Sequence, residues 1–479
     1  MNNTACNKAA LVVAIALVLC GCAVGPNYQR PLLDLPGSYP PAAANTTVVP
    51  AGNHWWSIFN DPDLDRLMDE ALNNNLDLVV AAARVSEAEA QLGLAISDQL
   101  PTAYASGSRE RNRNSAASGR SAPGQPLLTT TNRVALNVSF EIDFWGKYRR
   151  ATEAARADLL SIKANGDALR VTMTTQAVQG YFNLLALDAQ IDVGQQGIKR
   201  GQEALSMQKI RLDAGVISEY DYQQRSAELD AGLAQLPPLQ SQRSKQERAL
   251  SVLLGRSPRV LMEGKVDRST PSTPSTPRGP LIAPSGLPSA LLLNRPDLIE
   301  AEQKLVAANA RIGVARAAYF PSISLTGLFG TESSALGDLF SGPSRVFNFA
   351  GNLTQPLWGA GRLGGQVNAA EARNDAAVAQ YKIAIANAFR EVQDAIAAQR
   401  AARDVVDIEQ RRVESLTKTW NLARLRYENG AASQLDVIDA ERGLLQAEQS
   451  RIEAERLYRF AVADLFKALG GSNDAIKKD

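Results

Sequence analysis

The first chemistry that the sequence offers is that of cysteine thiols, which can pair, bind metals or be acylated. The chain has three cysteines, Cys6, Cys20 and Cys22. Lys8 precedes an apolar run, Ala9 to Leu19, which is too short to span a bilayer and is typical of a removable secretory signal peptide. Removal of residues 1–21 would leave Cys22 as a single thiol at the mature N-terminus, so no disulfide within the chain would be possible.

The residues around Cys22 favour acylation of its thiol. Leu19-Cys20-Gly21-Cys22 resembles a bacterial lipobox, in which the chain is cut before the second cysteine and that cysteine carries a lipid. In such lipoproteins an Asp after the cysteine marks retention in the inner membrane, whereas Ala23 follows here. We therefore expect a lipid on Cys22 and an outer-membrane location. The alternative is an ordinary signal peptide with a chance cysteine.

The remaining composition argues against most other chemistry. Lys and Arg number 51 against 50 Asp and Glu, so the net charge of +1 gives no sign of a nucleic-acid partner. A single histidine, His54, lies beside Trp55 and Trp56, and we expect it to pack rather than to bind metal or transfer protons. Because no nucleophile motif occurs in context, we expect no catalytic residues, no metal site, no cofactor besides the lipid, and no enzyme activity.

Two carboxylates in the second half of the chain, Asp436 and Asp439, are spaced for joint action. They are three residues apart in the sequence LDVID, so a helix places both on one face. A simpler interpretation of Asp436 is a helix cap, because Ser433-x-x-Asp436 has the spacing of a capping box. For Asp439 the simpler interpretation is a solvated helix surface.

These residues belong to the second of two similar halves. Asp77 to Gly107 aligns without a gap on Asp297 to Gly327, and Arg211 to Asp221 aligns on Arg426 to Asp436. The chain is therefore a tandem duplication. We divide it into a signal peptide (1–21), a lipidated N-terminal segment (22–60), a first repeat (61–258), a linker rich in Pro, Ser and Thr (259–287), a second repeat (288–470) and a tail (471–479).

Each repeat contains segments in which apolar and polar residues alternate, as they do in a β-strand. Val134 to Phe144 alternates without exception and has the length of a tilted transmembrane strand, about 9 to 11 residues. Ser322 to Gly330, Phe347 to Leu357 and a weaker segment after Pro101 complete four predicted strands. Polar loops are predicted at 109–132 and 331–345.

The number of strands limits how such a sheet could enter a membrane. A soluble sandwich would show the same alternation, so the pattern alone does not decide between the two. Four strands cannot close a membrane barrel, which needs about 8, and an open edge in lipid would leave backbone groups unpaired. We therefore expect three chains to share one twelve-stranded barrel.

Long helices account for most of the remaining sequence. No proline occurs between Gly146 and Leu236, or after Leu357. The segment from Lys147 to Ala214 would extend about 100 Å as one helix at ~1.5 Å per residue, which exceeds an ordinary globular core. The predicted fold is therefore mostly α, with a membrane β-sheet.

The ends of these helices carry turn signals. Gly215 and Gly430 follow the long helical segments in the position that favours a left-handed residue. Ser218 with Asp221 repeats the capping-box spacing and would start a returning helix. Each repeat is thus predicted to contain a long helical hairpin with its tip near residue 215 or 430.

Taken together, several segments resemble the TolC-type outer-membrane efflux proteins, in particular the NodT-type lipoprotein branch that serves resistance-nodulation-division pumps. They are CAVGPNYQRP after the lipobox, NRPDLIEAEQKLVAANARIGVARAAYFPSISLTG, RYENGAASQLDVIDAERGLLQAEQ and the final LFKALGG. The resemblance implies a homotrimer whose twelve-stranded outer-membrane barrel is continuous with a long periplasmic α-helical barrel. It also implies a passive exit duct for small molecules such as drugs, supplied by an inner-membrane pump and a periplasmic adaptor protein.

The resemblance further implies roles for single residues. Those that match the family's periplasmic entrance are Asp436, Asp439, Asp221 and Tyr427. In the implied trimer, Asp436 and Asp439 would form two stacked carboxylate rings, which favour cations. Those that match its adaptor-contacting hairpin tips are Gly215, Val216, Gly430 and Ala431. The chain departs from the family at Ala431-Ala432, where the best-studied member has a basic residue, and at Gln224, the repeat counterpart of Asp439. We therefore expect the latch at the entrance to be formed by different residue contacts here.

Two other functions fit part of the sequence. A structural periplasmic coiled-coil lipoprotein would explain the lipobox and the long helices, but it would leave the four strands without a use. An exit duct for one-step (type I) protein secretion would explain all of these features, because a passive channel carries little information about its cargo.

Overall fold

The computed structural model describes residues 23–33, 54–115, 126–263, 266–268 and 295–471. The predicted signal peptide (1–21), Cys22, most of the linker (259–287) and the tail after Gly471 lie outside these residues.

The described elements repeat in the same order in the two halves of the chain. After a 3-10 helix at Trp55–Phe59 and helix α1 (Pro62–Asn74), the first half contains α2 (Leu76–Ser97), β1 (Thr102–Arg113), β2 (Leu128–Ile142), α3 (Lys147–Asp213), α4 (Glu219–Leu253) and the short α5 (Pro258–Glu263). The second half contains α6 (Pro296–Ala317), β3 (Ser322–Ser333), β4 (Arg345–Thr354), α7 (Arg362–Glu428) and α8 (Gln434–Ala468). The matching helices have 22, 67 and 35 residues in both halves, which confirms the duplication and the long helices.

The chain divides into two compact units, and each draws on both repeats. The strand unit comprises the N-terminal residues to Leu32, Val85–Ile162 and Glu300–Tyr381. The hairpin unit comprises Leu33–Arg84, Lys163–Ile299 and Lys382–Asp479. Corresponding elements of the two repeats therefore pack together within a unit, rather than each repeat forming its own body.

The strand unit contains one antiparallel sheet with strand order β1-β2-β3-β4. Its register places apolar side chains on one face, including Leu136, Val138, Phe140, Leu325, Phe329, Phe347, Phe349 and Leu353. The opposite face carries polar side chains, including Asn137, Ser139, Glu141, Thr326 and Asn348. The four predicted strands and their two-faced character are confirmed.

The predicted strand ends were partly wrong. Arg109–Arg113 pair with 128–132, so both ends of the predicted loop at 109–132 belong to β1 and β2. Likewise β3 runs to Ser333 and β4 begins at Arg345, inside or at the edge of the predicted loop at 331–345. Apart from Leu128, these residues are polar on both faces and show no alternation, but the antiparallel ladder satisfies their backbone groups all the same.

At the other end the strands stop earlier than the alternation suggests. β2 ends at Ile142 rather than Phe144, because the carboxylate of Asp143 accepts the amide hydrogens of Tyr148 (3.1 Å) and Arg149 (2.8 Å) and so starts helix α3. β4 ends at Thr354, before the predicted Leu357.

The N-terminal segment packs on the strand unit. The amide of Val24 donates to the carbonyl of Trp145 (3.0 Å), and Gly25 approaches Gly313 so closely that a Cβ on Gly25 would lie 2.5 Å from the Gly313 Cα. Further along, Tyr28 Oη (3.0 Å) and Arg30 Nε (2.7 Å) both donate to Glu302 on α6. The segment after Cys22 is thus fixed along one side of α6 by backbone contact and charged hydrogen bonds.

The hairpin unit has an aromatic core. Trp55 stacks on Phe466 with the ring centroids 4.9 Å apart, and Phe59 meets Phe182 edge-on at 4.6 Å. Trp55, Phe59 and Phe466 are buried, so these contacts anchor the N-terminal 3-10 helix to α3 and α8. Among the described helices, none is long and apolar enough to cross a membrane.

Candidate functional site

The candidate site is the pair of hairpin tips in the hairpin unit, and its turns form for the same reason in both repeats. Gly215 and Gly430 have φ values of 68° and 73°, the left-handed conformation that glycine adopts without strain. Val216 N donates to Arg211 O (2.9 Å) and Gly215 N to Leu212 O (2.8 Å), and equivalent bonds close the second turn. Both helices therefore end in a complete Schellman motif, which turns the chain back within a few residues.

Each returning helix starts with a capping box. The Asp221 amide donates to Ser218 Oγ (3.2 Å), while the Asp221 carboxylate accepts from the Ser218 amide (3.2 Å). In the second hairpin the Asp436 carboxylate accepts from the Ser433 amide (2.8 Å) and hydroxyl (2.8 Å). These hydrogen bonds lower the pKa of the Asp436 carboxyl below its ordinary value, so the carboxylate stays charged at neutral pH.

Asp436 and Asp439 lie on the exposed side of α8 near its start, as the spacing predicted. The side chain of Asp439 is 60% exposed, and Arg442 Nη1 lies 3.8 Å from its Oδ1. The same guanidinium donates to Glu228 on α4, with Arg442 Nη2 2.7 Å from Glu228 Oε2. Asp439 therefore belongs to a charged group that reaches the other hairpin.

A second contact between the hairpins, which we call the tip clasp, comprises Gln208, Arg211 and Tyr427. The phenol oxygen of Tyr427 accepts from Arg211 Nη1 (2.6 Å) and from Gln208 Nε2 (3.0 Å). The Arg211 guanidinium also lies 5.3 Å from the centre of the Tyr427 ring. The clasp joins the end of α3 to the end of α7.

Asp221, the other predicted latch residue, contacts the second hairpin through its backbone. Its carbonyl accepts from Gln434 Nε2 (3.2 Å). Tyr427 and Asp221 are thus both at the contact between the hairpins, but each has its own partner. The role of either residue in closing an entrance remains a prediction.

Above the tips, buried ion pairs join α4 to α8. Arg225 is only 5% exposed, and its Nη2 lies 2.9 Å from Glu441 Oε2. Arg200 on α3 approaches the same carboxylate, with Nε 3.8 Å from Glu441 Oε1. Removal of Glu441 would leave the buried charge of Arg225 without its carboxylate partner, and the loss of a partner from a buried ion pair typically costs about 3–5 kcal/mol.

Sequence reasoning missed Arg211, Gln208, Arg225 and Arg442. Their partners are more than 200 residues away, and no local pattern identifies them. The duplication gave one usable signal, because Arg211 aligns with Arg426, the neighbour of Tyr427. Within the part of the chain that the structure describes, no group of three or more His, Cys, Asp or Glu side chains is placed to hold a metal ion.

The duplicated chain, with one two-faced antiparallel sheet and two capped helical hairpins, has the architecture of a solved outer-membrane channel. The family model described as "Outer membrane efflux protein" matches residues 67–256 and 287–471, and the chain belongs to that family. Residues 257–286, between the two matched segments, lie mostly in the predicted linker.

Individual relatives agree over nearly the whole length. The chain is 34% identical over 465 residues to the cation efflux system protein CusC of Escherichia coli O6:H1, covering 96% of this chain and 98% of CusC. It is 30% identical to the probable outer membrane lipoprotein SilC of Salmonella typhimurium, covering 96% and 98%. Among solved structures, the Campylobacter jejuni CmeC outer membrane channel superimposes with a TM-score of 0.89 at 28% identity, covering 96% of both chains. The predicted fold, the outer-membrane location and the efflux-channel function are thereby confirmed.

The capping of Asp436 predicts how the stability of the second hairpin tip and the cation selectivity of the channel depend on pH. Because its pKa is lowered in the folded tip, the contribution of this cap is present at neutral pH and is lost only as the pH falls below the ordinary range of aspartate. In Ser433→Ala the pKa should rise towards its ordinary value. As the pH is lowered, reconstituted channels should then lose cation selectivity at a higher pH than channels of the native protein. Separately, the hairpin should lose about 1 kcal/mol of stability. Ser218→Ala, the same change in the first hairpin, is the control. If the pH at which cation selectivity is lost is the same in Ser433→Ala as in the native protein, the capped Asp436 carboxylate is not the group that selects cations.

Proposed function

We propose that the chain is the passive exit duct of a tripartite efflux pump and that it acts as a homotrimer. The observation that carries this proposal is the sheet. Its β1 and β4 are edge strands, and its apolar face is exposed, with Phe347 and Phe349 73% and 76% exposed. In lipid an open sheet edge is not viable, whereas three copies placed edge to edge make twelve strands that close on themselves.

In this assembly the polar face of the sheet lines the channel and the apolar face contacts lipid. The long helix pairs α3–α4 and α7–α8 form the periplasmic tunnel. The tip residues Gly215, Val216, Gly430 and Ala431 meet the periplasmic adaptor. They suit this role because the space around Gly215 and Gly430 is open and Val216 is 69% exposed.

The entrance is closed where the hairpins meet. Tyr427 and Asp221 lie at this contact, and Asp436 and Asp439 of three chains would place six carboxylates around the opening. While the entrance is closed, such rings concentrate cations and repel anions. Energy and cargo come from an inner-membrane pump, since a channel of this kind has no energy source of its own.

The N-terminus adds a second attachment to the membrane. We assign the lipid to Cys22, which directly precedes the fixed segment that begins at Ala23. A lipid chain by itself gives weak, reversible membrane binding. Together with a barrel it holds the strand unit at the inner face of the outer membrane.

The cargo is small molecules rather than secreted proteins. This choice rests on the relatives, since CusC is named as part of a cation efflux system and lies at 34% identity over almost the whole chain. A structural coiled-coil lipoprotein without a channel would have no use for the two-faced sheet.

The test is ion selectivity. Asp436→Ala/Asp439→Ala should reduce the ratio of potassium to chloride permeability by roughly fivefold or more, since it removes all six entrance carboxylates. The measurement is the reversal potential across a planar bilayer with a salt gradient. Asp404→Ala/Asp407→Ala is the control, because it removes two exposed carboxylates with the same spacing from α7. If the permeability ratio changes equally in both variants, Asp436 and Asp439 do not line the cation-selective entrance.

A further inference from the structure

The strand unit contains a groove lined by cations that none of the roles above uses. It has a volume of about 620 Å³ and lies between α6, α7 and the first residue of α3. Its floor consists of small and apolar side chains, among them Ala308, Val314, Ala315 and Ala369. Its polar lining comprises Gln366 and four cations, Lys147, Arg311, Arg362 and Arg373.

The four cations are only partly neutralised. Lys147 Nζ lies 3.4 Å from Glu141 Oε1, and Arg311 forms an ion pair with Asp158. Arg362 and Arg373 have no carboxylate within ion-pair distance among the described residues. Each groove therefore carries a net excess of about two positive charges beside an apolar floor.

The groove opens on the side of the unit that continues the polar face of the sheet. Glu141, which binds both Lys147 and the Tyr148 hydroxyl (2.9 Å), points to the polar face, whereas its neighbours Phe140 and Ile142 point to the apolar face. The ammonium of Lys147 is thus on the polar side.

The side chains around helix α6 also indicate which way the groove faces. The N-terminal segment packs against Gly313 and Glu302, whereas the groove is lined by Arg311 and Ala315. Positions two apart on an α-helix point about 200° away from each other, so Arg311 and Ala315 lie opposite Gly313. The groove and the lipid-proximal N-terminus therefore occupy opposite sides of α6.

We propose that this groove is a binding subsite for small amphiphilic organic anions on their way through the duct. The proposal rests on the proposed function, because it takes the polar face as the inside of the channel. A volume of about 620 Å³ falls in the range of small-molecule sites. Arg362 and Arg373 match a carboxylate or sulfonate, since guanidinium groups bind such oxygens in bidentate fashion, and the alanine and valine floor accommodates an apolar ring. Three copies form a basic belt, opposite in sign to the carboxylates at the tips.

The test uses thiol chemistry at single cysteines in the full-length trimer in membranes. Gln366→Cys places a thiol in the groove, and Asn368→Cys places one on the same helix facing away from it; both side chains are exposed. The rate of modification is measured with an anionic reagent, sulfonatoethyl methanethiosulfonate, and with its cationic counterpart, trimethylammonioethyl methanethiosulfonate. The labelled residue is identified by mass spectrometry.

The ratio of the modification rate with the anionic reagent to that with the cationic reagent should be about tenfold higher in Gln366→Cys than in Asn368→Cys. The reason is that the uncompensated charges of Arg362 and Arg373 attract the anionic reagent. Arg362→Gln/Arg373→Gln should bring the two ratios together. Naphthalene-1-sulfonate should slow modification in the groove, whereas naphthylmethylammonium, with the same rings and the opposite charge, should not. Ala369→Cys repeats the measurement at a second groove position.

Equal ratios at the two positions, or a high ratio that survives loss of both arginines, would overturn the proposal while leaving the duct intact. Failure of both reagents to reach position 366 would also overturn it, because lipid or a second copy would then cover the groove. A high ratio that depends on the arginines, in a protein that forms no channels, would confirm the basic groove but contradict the proposed function.

Discussion

Phe347→Arg/Phe349→Arg is expected to abolish trimers in the outer membrane. Both phenylalanines lie on the apolar face of β4, where Phe347 pairs with Phe329 and Phe349 with Gly327 on β3. Both are largely exposed in the isolated chain, as expected of side chains that contact lipid. An arginine on the lipid face of a membrane barrel costs about 2–4 kcal/mol near the bilayer centre, and a trimer would carry six of them.

The control for this variant is Asn348→Arg, which lies between the two phenylalanines and points to the opposite face. In the channel lining an arginine remains hydrated, so this change should leave assembly intact and alter conductance only. The measurement is cross-linking of the outer-membrane fraction, together with resistance of the cells to exported compounds. We expect at least a tenfold loss of trimers in the double variant. Wild-type levels of trimer in that variant would contradict the assignment of the apolar face to lipid.

Tyr427→Phe/Arg211→Gln is expected to open the entrance. The variant removes both hydrogen bonds on the Tyr427 hydroxyl, one of them from a charged guanidinium, and the contact between guanidinium and ring. Together these contribute about 3 kcal/mol, so the balance between closed and open tips should shift by about a hundredfold in each chain. Neither substitution touches the backbone bonds of the Schellman turns or the side chains of the capping boxes, so both features should be retained.

The expected phenotype is leakage through the tunnel. Cells that carry the clasp variant should become sensitive to antibiotics that are normally too large to cross the outer membrane, by several-fold in inhibitory concentration. Tyr220→Phe is the control, because it removes a hydroxyl beside the first tip from a tyrosine that is 74% exposed. Equal sensitivity of the two variants would mean that the clasp does not hold the tips closed.

The sequence predicted the elements that depend on local patterns. The helix from Lys147 lacks proline over its whole length, and the structure ends it at Asp213, one residue before the predicted end. Gly215 and Gly430 have left-handed conformations, and the two capping boxes form with the predicted serines and aspartates. In each case the physical cause acts within a few residues of chain, so the sequence contains the whole signal.

Features that depend on distant contacts were not predictable in the same way. The strands extend into Arg109–Arg113 because a partner strand satisfies their backbone, although the side chains do not alternate. Helix α4 continues through Pro237 and Pro238, which local rules would treat as an end of the helix. The clasp joins Arg211 to Tyr427 across more than 200 residues, and the charge of the basic groove appears only when α6 and α7 lie side by side.

The central claim, a passive duct that is closed at the hairpin tips, is tested most directly by single-channel recording in planar bilayers. The native protein should give small, cation-selective openings, and Tyr427→Phe/Arg211→Gln should give openings several times larger through the same trimer. Trimers that are inserted in the bilayer, yet remain silent in the clasp variant or show the conductance of the native protein, would contradict the claim.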